Sequence, residues 1–349
     1  MSFLSRFFNS EKKDESIVLV DIDANSIGGA YAHYKEGELP VLLYTRRLPI
    51  EVHEGEPRER AMLRALQILG ETLIREGAPV LARATGSGSA HSILVSIDTP
   101  WQKTSVRVEH FEQKTPFVLT KRLVTDGLKK TRIAITGKLL ADESIIGTIL
   151  NGYETNSPYG KRVNHASIVV ITSLIDEKIA HSILSVLRSL FHTKSILPMA
   201  GSSLRYQAMR EAFPHERNAL VLDATGPLTS IAFVRKGLFV ALVEVADTDI
   251  GSDSWAEGIT KELAKLAEEY PLPRTIFLLA KESSLPAFQK TLGAAKFGEL
   301  WLSDNPPNIV SVLASHLNGL VRQTTEASPD ILLLLLALFW QHRARSEKM

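Results

Sequence analysis

The stretch IVLVDIDANSIGG at residues 17–29 decides the fold, and the stretch LVLDATGPLTSIAFVRKG at residues 220–237 repeats its plan. Each is a run of aliphatic residues that ends in an aspartate, Asp21 or Asp223, and continues through a turn of small residues into another apolar run. Apolar runs of this length bounded by turn residues are typical of buried strands. Two strand–aspartate–turn–strand units in one chain therefore predict two related halves, each built around its own sheet.

The composition is that of an ordinary globular protein. The chain has 349 residues, with 40 Lys and Arg against 39 Asp and Glu, a net charge of +1 and no cysteine. This length is enough for two or three domains, and the balanced charge gives no reason to expect a nucleic-acid partner. The absence of cysteine excludes disulfides, thiolate zinc sites and cysteine nucleophiles. It also fits a reducing compartment such as the cytoplasm.

Changes in the residue pattern predict the domain boundaries. Residues 16–100 form a first lobe, with a hairpin turn at Lys35–Glu38 and an amphipathic helix over 57–76. Residues 101–195 switch to a mixture of strands and helices, which predicts a small α+β module inserted in the first lobe. The strongly periodic segment Asp176–Phe191 is expected to be the helix that returns the chain to that lobe.

Residues 196–340 are predicted to form the second lobe. Their last run, ILLLLLALFW, spans ten residues, whereas a membrane-spanning helix needs roughly 20 apolar residues. We therefore expect this run to form a buried helix. The other elements expected in this lobe are strands at 219–224, 229–235 and 237–245, helix Ser252–Tyr270, strand Thr275–Ala280, and helices Ser284–Leu292 and Ile309–Arg322.

Two tails flank the lobes, at residues 1–15 and 341–349. The first tail has an apolar side, and a short amphipathic segment of this kind has only weak membrane affinity on its own. Peripheral contact with a membrane, contact with a partner protein and a loosely packed end are three alternatives that stay open. The apolar residues concerned are Phe3, Leu4, Phe7 and Phe8.

The segment ILNGYETNSPYGKRVNHASIVVIT at 149–172 combines a short strand, two turns and a longer strand. Together with the two halves, it resembles the bacterial actin-like proteins of the FtsA and PilM group, over about residues 16–340. The resemblance implies an α/β, actin-like (ribonuclease H-like) two-lobed fold with an inserted small α+β subdomain in the first lobe. The residues that match within the inserted segment are Gly152, Glu154, Pro158 and Gly160.

The resemblance also implies a nucleotide site, whose first phosphate loop has lost its expected residues. Asp21 holds the acidic position and Ser26 supplies a hydroxyl, but Asp23 stands where the family has glycine, and Gly28 stands where it has lysine. Glycine allows the backbone to approach a phosphate closely, whereas a carboxylate repels the phosphate. Bound ATP would therefore face a negative charge in this loop.

The second loop keeps Asp223, Gly226 and Thr229, but Pro227 has no backbone N–H to donate. The resemblance implies that Asp21 and Asp223 would hold a magnesium ion through water. A third, glycine-rich loop is replaced by residues 280–282, Ala-Lys-Glu. The short link between the predicted helix at Ser252–Tyr270 and the strand that follows leaves no room for the helical subdomain that walls the family's adenine pocket.

These departures favour a non-catalytic actin-like scaffold. We expect it to bind a partner peptide or small domain at the cytoplasmic membrane face in a pilus-assembly or cell-division complex. The matching turn residues Gly152, Glu154, Pro158 and Gly160 would contribute to partner binding. We expect no cofactor, although ATP and magnesium remain allowed as weak ligands. An active actin-like ATPase whose assembly is switched by nucleotide is the alternative, and self-association stays open.

Overall fold

A computed structural model describes residues 14–131, 136–155, 157–245, 249–295, 297–301, 307–324 and 327–346. The chain divides into two compact units. The first contains Met1–Trp101, Asp176–Phe213 and Leu313–Met349, and the second contains Gln102–Ile175 and Pro214–Val312. The chain therefore leaves the first unit twice, returns to it each time, and ends in it.

The secondary structure of the described residues alternates between strands and helices. The strands are β1 (Asp14–Ile22), β2 (Ser26–Lys35), β3 (Val41–Pro49), β4 (Ser92–Ile97), β5 (Gln102–Val118), β6 (Lys138–Leu150), β7 (Tyr153–Glu154), β8 (Arg162–Asp176), β9 (Ile196–Ala200), β10 (Ala219–Asp223), β11 (Ser230–Arg235), β12 (Leu238–Glu244), β13 (Thr275–Leu279), β14 (Asn308–Ser311) and β15 (Arg322–Gln323). The helices are α1 (Arg58–Thr72), α2 (Ala78–Thr85), α3 (Lys121–Thr131), α4 (Glu177–Phe191), α5 (Gly201–Ala212), α6 (Asp253–Glu269), α7 (Leu285–Ala294) and α8 (Ile331–Ser346). A π-helical turn at Leu73–Gly77 joins α1 to α2.

A six-stranded mixed sheet in the order β15-β3-β2-β1-β4-β9 forms the centre of the first unit. β1 pairs with β2 in antiparallel fashion and with β4 in parallel fashion. Its residues from Ile17 to Ile22 are buried, because helices cover both faces of the sheet, and this produces a continuous apolar run rather than an alternating one. Gly29 faces the end of α1 and the π-helical turn that follows it, where a Cβ would lie 3.1 Å from a methyl carbon of Leu69 and 2.8 Å from one of Leu73.

Helix α8 packs against β1, β2, β3, β4 and α5. Its first ten residues, from Ile331 to Trp340, are all buried, which confirms the prediction of a buried helix. The Tyr34 hydroxyl donates a hydrogen bond of 3.0 Å to the Ala337 carbonyl. A helix that is apolar all round suits this position, because a sheet lies on one side of it and another helix lies beside it.

The second unit is built around a five-stranded sheet in the order β12-β11-β10-β13-β14. Its core includes the fully buried Trp255 of α6, whose backbone N–H is capped by the Ser252 hydroxyl at 3.1 Å. Helix α6 ends at Glu269 and β13 begins at Thr275, so only a short link joins them.

The inserted module occupies residues 102–175, between β4 and α4, and so interrupts the sequence of the first unit as predicted. Its described residues form a four-stranded sheet in the order β5-β8-β6-β7 and the helix α3. Val124 and Leu128 of α3 are buried in a small core with residues from three of the strands. By its contacts the module clusters with the second unit, because β6 and β5 pack against β12.

Three parts of the structure differ from, or lie outside, the sequence-based expectations. Residues 196–213 and 313–349 fall in the first unit rather than the second lobe, because β9 pairs with β4, and α8 packs on α5. The predicted helix Ile309–Arg322 is wrong: strand β14, a short 3₁₀ turn and strand β15 occupy this region. The expected role of Phe3, Leu4, Phe7 and Phe8 lies outside the described residues.

None of the helices in the described part of the chain is long and apolar enough to cross a membrane.

Candidate functional site

The turn between β1 and β2, where the resemblance places a phosphate, is closed by its own carboxylate. Asp23 is buried, and its side chain accepts hydrogen bonds from the Asn25 backbone N–H at 3.1 Å and from the Ser26 hydroxyl at 3.0 Å. The Asp23 backbone N–H donates to the Ser26 carbonyl at 3.0 Å. These donors are the kind that a phosphate-binding loop offers to its ligand. In this turn the Asp23 carboxylate accepts the hydrogen bonds of Asn25 and Ser26, and the Ser26 carbonyl accepts that of the Asp23 N–H.

Asp21, at the end of β1, is fully buried and paired with an arginine. Its Oδ2 accepts a hydrogen bond of 2.9 Å from Nη2 of Arg47 on β3. The same guanidinium donates through Nη1 to the Ser26 hydroxyl at 3.0 Å. Burial raises the pKa of Asp21 above its ordinary value, and this effect outweighs the positive charges of Arg47 and Arg205, which lower it. The arginine therefore occupies the space beside the carboxylate that a metal-bound water would need.

The absence of a side chain at Gly28 makes this pairing sterically feasible. Gly28 lies on β2 between Asp21 and Arg47 in the strand register. A Cβ on Gly28 would lie 2.5 Å from the Arg47 Nη2 atom, which is closer than any real contact of this kind. The residue that replaces the family's lysine thus leaves room for an arginine from the next strand. A positive charge is kept here, but it comes from a different position in the chain.

Arg47 also fixes the start of α8. Its Nε and Nη2 atoms donate to the two carboxylate oxygens of Asp330, at 2.6 and 3.2 Å. Asp330 in turn accepts from the backbone N–H groups of Leu332 and Leu333, at 3.1 and 3.3 Å, and so caps the helix. Burial acts to lower the pKa of Arg47, and the carboxylates of Asp330 and Asp21 outweigh it, so this pKa lies above its ordinary value.

A second buried ion pair lies beside the first. Arg205 of α5 donates through both terminal nitrogens to Asp98, which follows β4, and the Nη2–Oδ1 distance is 3.0 Å. Ser96, two residues before Asp98, is opposite Asp21 in the β1–β4 register. The Asp21 Oδ1 and Ser96 Oγ atoms are buried without a hydrogen-bond partner in this structure. Three carboxylates and two guanidinium groups thus form a polar cluster within the first unit, in which Asp21, Asp98 and Arg205 are buried and Arg47 and Asp330 are partly exposed.

The loop after β10 in the second unit is closed in the same way as the first. Oδ1 of Asp223 accepts from the backbone N–H of Thr225 at 3.1 Å and from its hydroxyl at 2.6 Å. Gly226 has an ordinary negative φ, and a Cβ added to it would meet nothing closer than 3.9 Å. Thr229 is fully buried, and its hydroxyl accepts a 2.8 Å hydrogen bond from the indole of Trp255. All of these polar contacts stay within the protein.

The residues of these two loops do not fit a nucleotide–magnesium complex. Magnesium prefers near-octahedral oxygen ligands and keeps several waters, whereas Asp21 lies in hydrogen-bond contact with a guanidinium. Phosphates need free N–H donors, and in both loops an aspartate accepts from backbone N–H groups. Within the described part of the chain, no group of three or more His, Asp or Glu side chains could hold a metal ion. We derive no chemical step from this arrangement.

The matching residues of the inserted module shape its turns. Gly152 and Gly160 have φ values of 84° and 81°, which favour glycine. Pro158 is buried, and the Glu154 carboxylate lies 3.8 Å from the Lys236 ammonium group. These conformations and contacts give the four residues a role in the local structure of the turns. The neighbouring Tyr153 is 80% exposed.

Sequence reasoning missed the partners of the aspartates. The sequence analysis did not identify the four charged residues that complete the polar cluster, which are Arg47, Asp98, Arg205 and Asp330. Asp330 had a usable signal, because Ser-Pro-Asp before an apolar run is a helix-start pattern. No sequence signal pointed to the role of Arg47, because a charged residue in a strand usually faces solvent.

The chain has the actin-like two-lobed α/β fold that the sequence predicted. It is similar to a chain of a PilM–PilN type IV pilus biogenesis complex, with 14% identity, a TM-score of 0.55, and 94% of this chain and 98% of that chain covered. It is also similar to a Bacteroides thetaiotaomicron protein of actin-like ATPase fold and unknown function, with 9% identity, a TM-score of 0.46 and coverage of 95% and 98%. A third similar structure is the ethanolamine utilization protein EutJ from Carboxydothermus hydrogenoformans, with 11% identity, a TM-score of 0.41 and coverage of 95% and 92%. No protein-family model matches the sequence, and no curated protein matches it.

Proposed function

We propose that this protein is a non-catalytic actin-like scaffold that binds a segment of a partner protein at the cytoplasmic face of a membrane. The observation that carries this proposal is the closure of both strand-end loops by their own aspartates. Asp23 and Asp223 accept the hydrogen bonds that a nucleotide phosphate would need. Arg47 neutralises Asp21, the residue that the family resemblance assigns to a metal.

The proposed setting is a pilus-type assembly. It is supported by the likeness in fold to a chain of a PilM–PilN complex. The inserted module is the proposed contact surface, because its turns at Gly152–Glu154 and Pro158–Gly160 present Tyr153 and Tyr159 with more than a third of each side chain exposed. The two actin-like lobes would hold this module in place, and they would need no nucleotide to do so.

The test is a calorimetric titration of the purified protein with magnesium and ATP. We expect no binding heat up to millimolar ligand, because in each loop an aspartate already accepts a backbone N–H and a side-chain hydroxyl. The Asp21→Ala and Asp223→Ala variants are the controls. Magnesium-dependent binding that both substitutions abolish would contradict the proposal and favour an actin-like ATPase switched by nucleotide.

A further inference from the structure

The inserted module carries a charge surplus that the whole chain does not show. Residues 102–175 contain eleven Lys and Arg against six Asp and Glu, which is a net charge of +5. The rest of the chain has 29 against 33, which is −4, so the overall value of +1 hides the difference. A protein with such a separation of charge is steered toward anionic surfaces with its basic module leading.

Part of this positive charge is concentrated at one end of the module. β5 ends, α3 begins and β8 begins at this end, where Val118 pairs with Arg162 and the Leu119 N–H bonds to the Lys161 carbonyl. The Lys121 ammonium lies 5.7 Å from the centre of the Tyr159 ring. We call this surface the basic end. It consists of the exposed residues Lys121, Arg122, Lys161, Arg162, Val118 and Tyr159.

The described partners of the basic-end cations neutralise little of their charge. Arg122 is 93% exposed, and its nearest carboxylate, Asp126, lies 3.7 Å away and is itself 53% exposed, so this pair contributes little. Among the described residues, the Lys161 ammonium donates to the neutral Thr155 hydroxyl at 3.1 Å. Val118 and Tyr159 are 48% and 38% exposed among these cations.

This combination fits an anionic lipid surface better than a protein segment. The cations come from the first two residues of α3 and from Lys161 and Arg162 at the start of β8, so they are grouped at one end of the sheet, where an array of phosphates can approach them. Exposed aromatic and aliphatic side chains beside cations are suited to the boundary between headgroups and acyl chains. The charge difference between the module and the rest of the chain would also keep the basic end turned toward such a surface.

We propose that the basic end binds the phosphate headgroups of an anionic membrane. Stable anchoring of a peripheral protein generally needs two signals, and the basic end would supply one of them. The proposal adds to, and rests on, the proposed placement at a membrane face. It is independent of the nucleotide question, so the vesicle experiment and the calorimetric titration can fail separately.

The test is flotation of the full-length protein with vesicles of equal parts phosphatidylglycerol and phosphatidylcholine, and with pure phosphatidylcholine. We compare it with a variant carrying Lys121→Gln, Arg122→Gln, Lys161→Gln and Arg162→Gln. The matched control removes four exposed cations of the second unit outside the module, through Lys261→Gln, Lys265→Gln, Arg274→Gln and Lys290→Gln. Thermal unfolding checks that both variants fold.

We expect the unaltered protein and the control to bind the anionic vesicles only, and to release them between about 0.1 M and about 1 M salt, where screening becomes strong. The basic-end variant should lose affinity by about five-fold for each cation removed. Equal binding by both variants, or no binding by the unaltered protein, would overturn the proposal. Binding of poly-glutamate without binding of vesicles would also overturn it and assign the basic end to an acidic protein segment.

Discussion

Replacing Arg47 with methionine should destabilise the first unit in a way that depends on pH. Methionine keeps a long, flexible apolar stem but removes the charge, so the carboxylate of Asp21 stays fully buried without its partner. Breaking a buried ion pair from one side costs about 3–5 kcal/mol. Asp330 is 16% exposed and can regain water, so most of this loss should come from Asp21.

Protonation of Asp21 sets an upper limit to that loss. Bringing a carboxyl of ordinary pKa 3.8 to its neutral form at pH 7 costs about 4 kcal/mol, and at pH 5 it costs roughly 1.6 kcal/mol. A folded-state pKa above the unfolded value gives stability that is present at low pH and lost as the pH rises. Loss of the guanidinium raises the pKa of Asp21 further, so the variant should approach the unaltered protein as the pH falls toward 4.

Urea unfolding at pH 5 and pH 7 measures this difference, and amide hydrogen exchange of β1 and α8 reports on the first unit alone. Arg46→Met is the matched control, because Arg46 lies on the same strand and is exposed. It should change the free energy of unfolding by less than about 0.5 kcal/mol. The double variant Arg47→Met with Asp21→Asn should recover much of the loss at pH 7. Equal losses at both pH values, or no recovery in the double variant, would refute the reasoning.

Three further substitutions test individual contacts through the free energy of unfolding. Gly28→Ala should cost about 1–3 kcal/mol, because its Cβ would push against a guanidinium nitrogen 2.5 Å away. Gly226→Ala is the control and should be nearly neutral. A larger loss of stability for Gly226→Ala than for Gly28→Ala would contradict the roles given to the two glycines. Leu335→Ala, at a fully buried site of α8, should cost about 2–5 kcal/mol, and a value under about 1 kcal/mol would mean that α8 is not core. Thr229→Val should cost about 1–3 kcal/mol by leaving the Trp255 indole N–H unpaired in the core, with Thr229→Ser as the control that keeps the hydroxyl.

Much of the fold could be predicted from local patterns. The buried run of α8, the capped helix that begins after Asp176 and the insertion between β4 and α4 each left a signal in periodicity, capping or turn residues. The prediction of a helix at residues 309–322 was wrong because a short apolar strand and a following 3₁₀ turn have a pattern like that of a short helix. Periodicity alone does not separate these two readings over such a length.

The sequence by itself determined two related sheet-centred halves, a module inserted in the first of them, and two aspartates at strand ends beside turns that lack the glycines a phosphate needs. Only the tertiary structure decided what those aspartates do. Arg47 reaches Asp21 across Gly28, and Asp330 joins them from a position 283 residues further along the chain. Such partners meet through strand register and helix packing, which no local pattern encodes. The same long-range pairing placed β9 and α8 in the first unit.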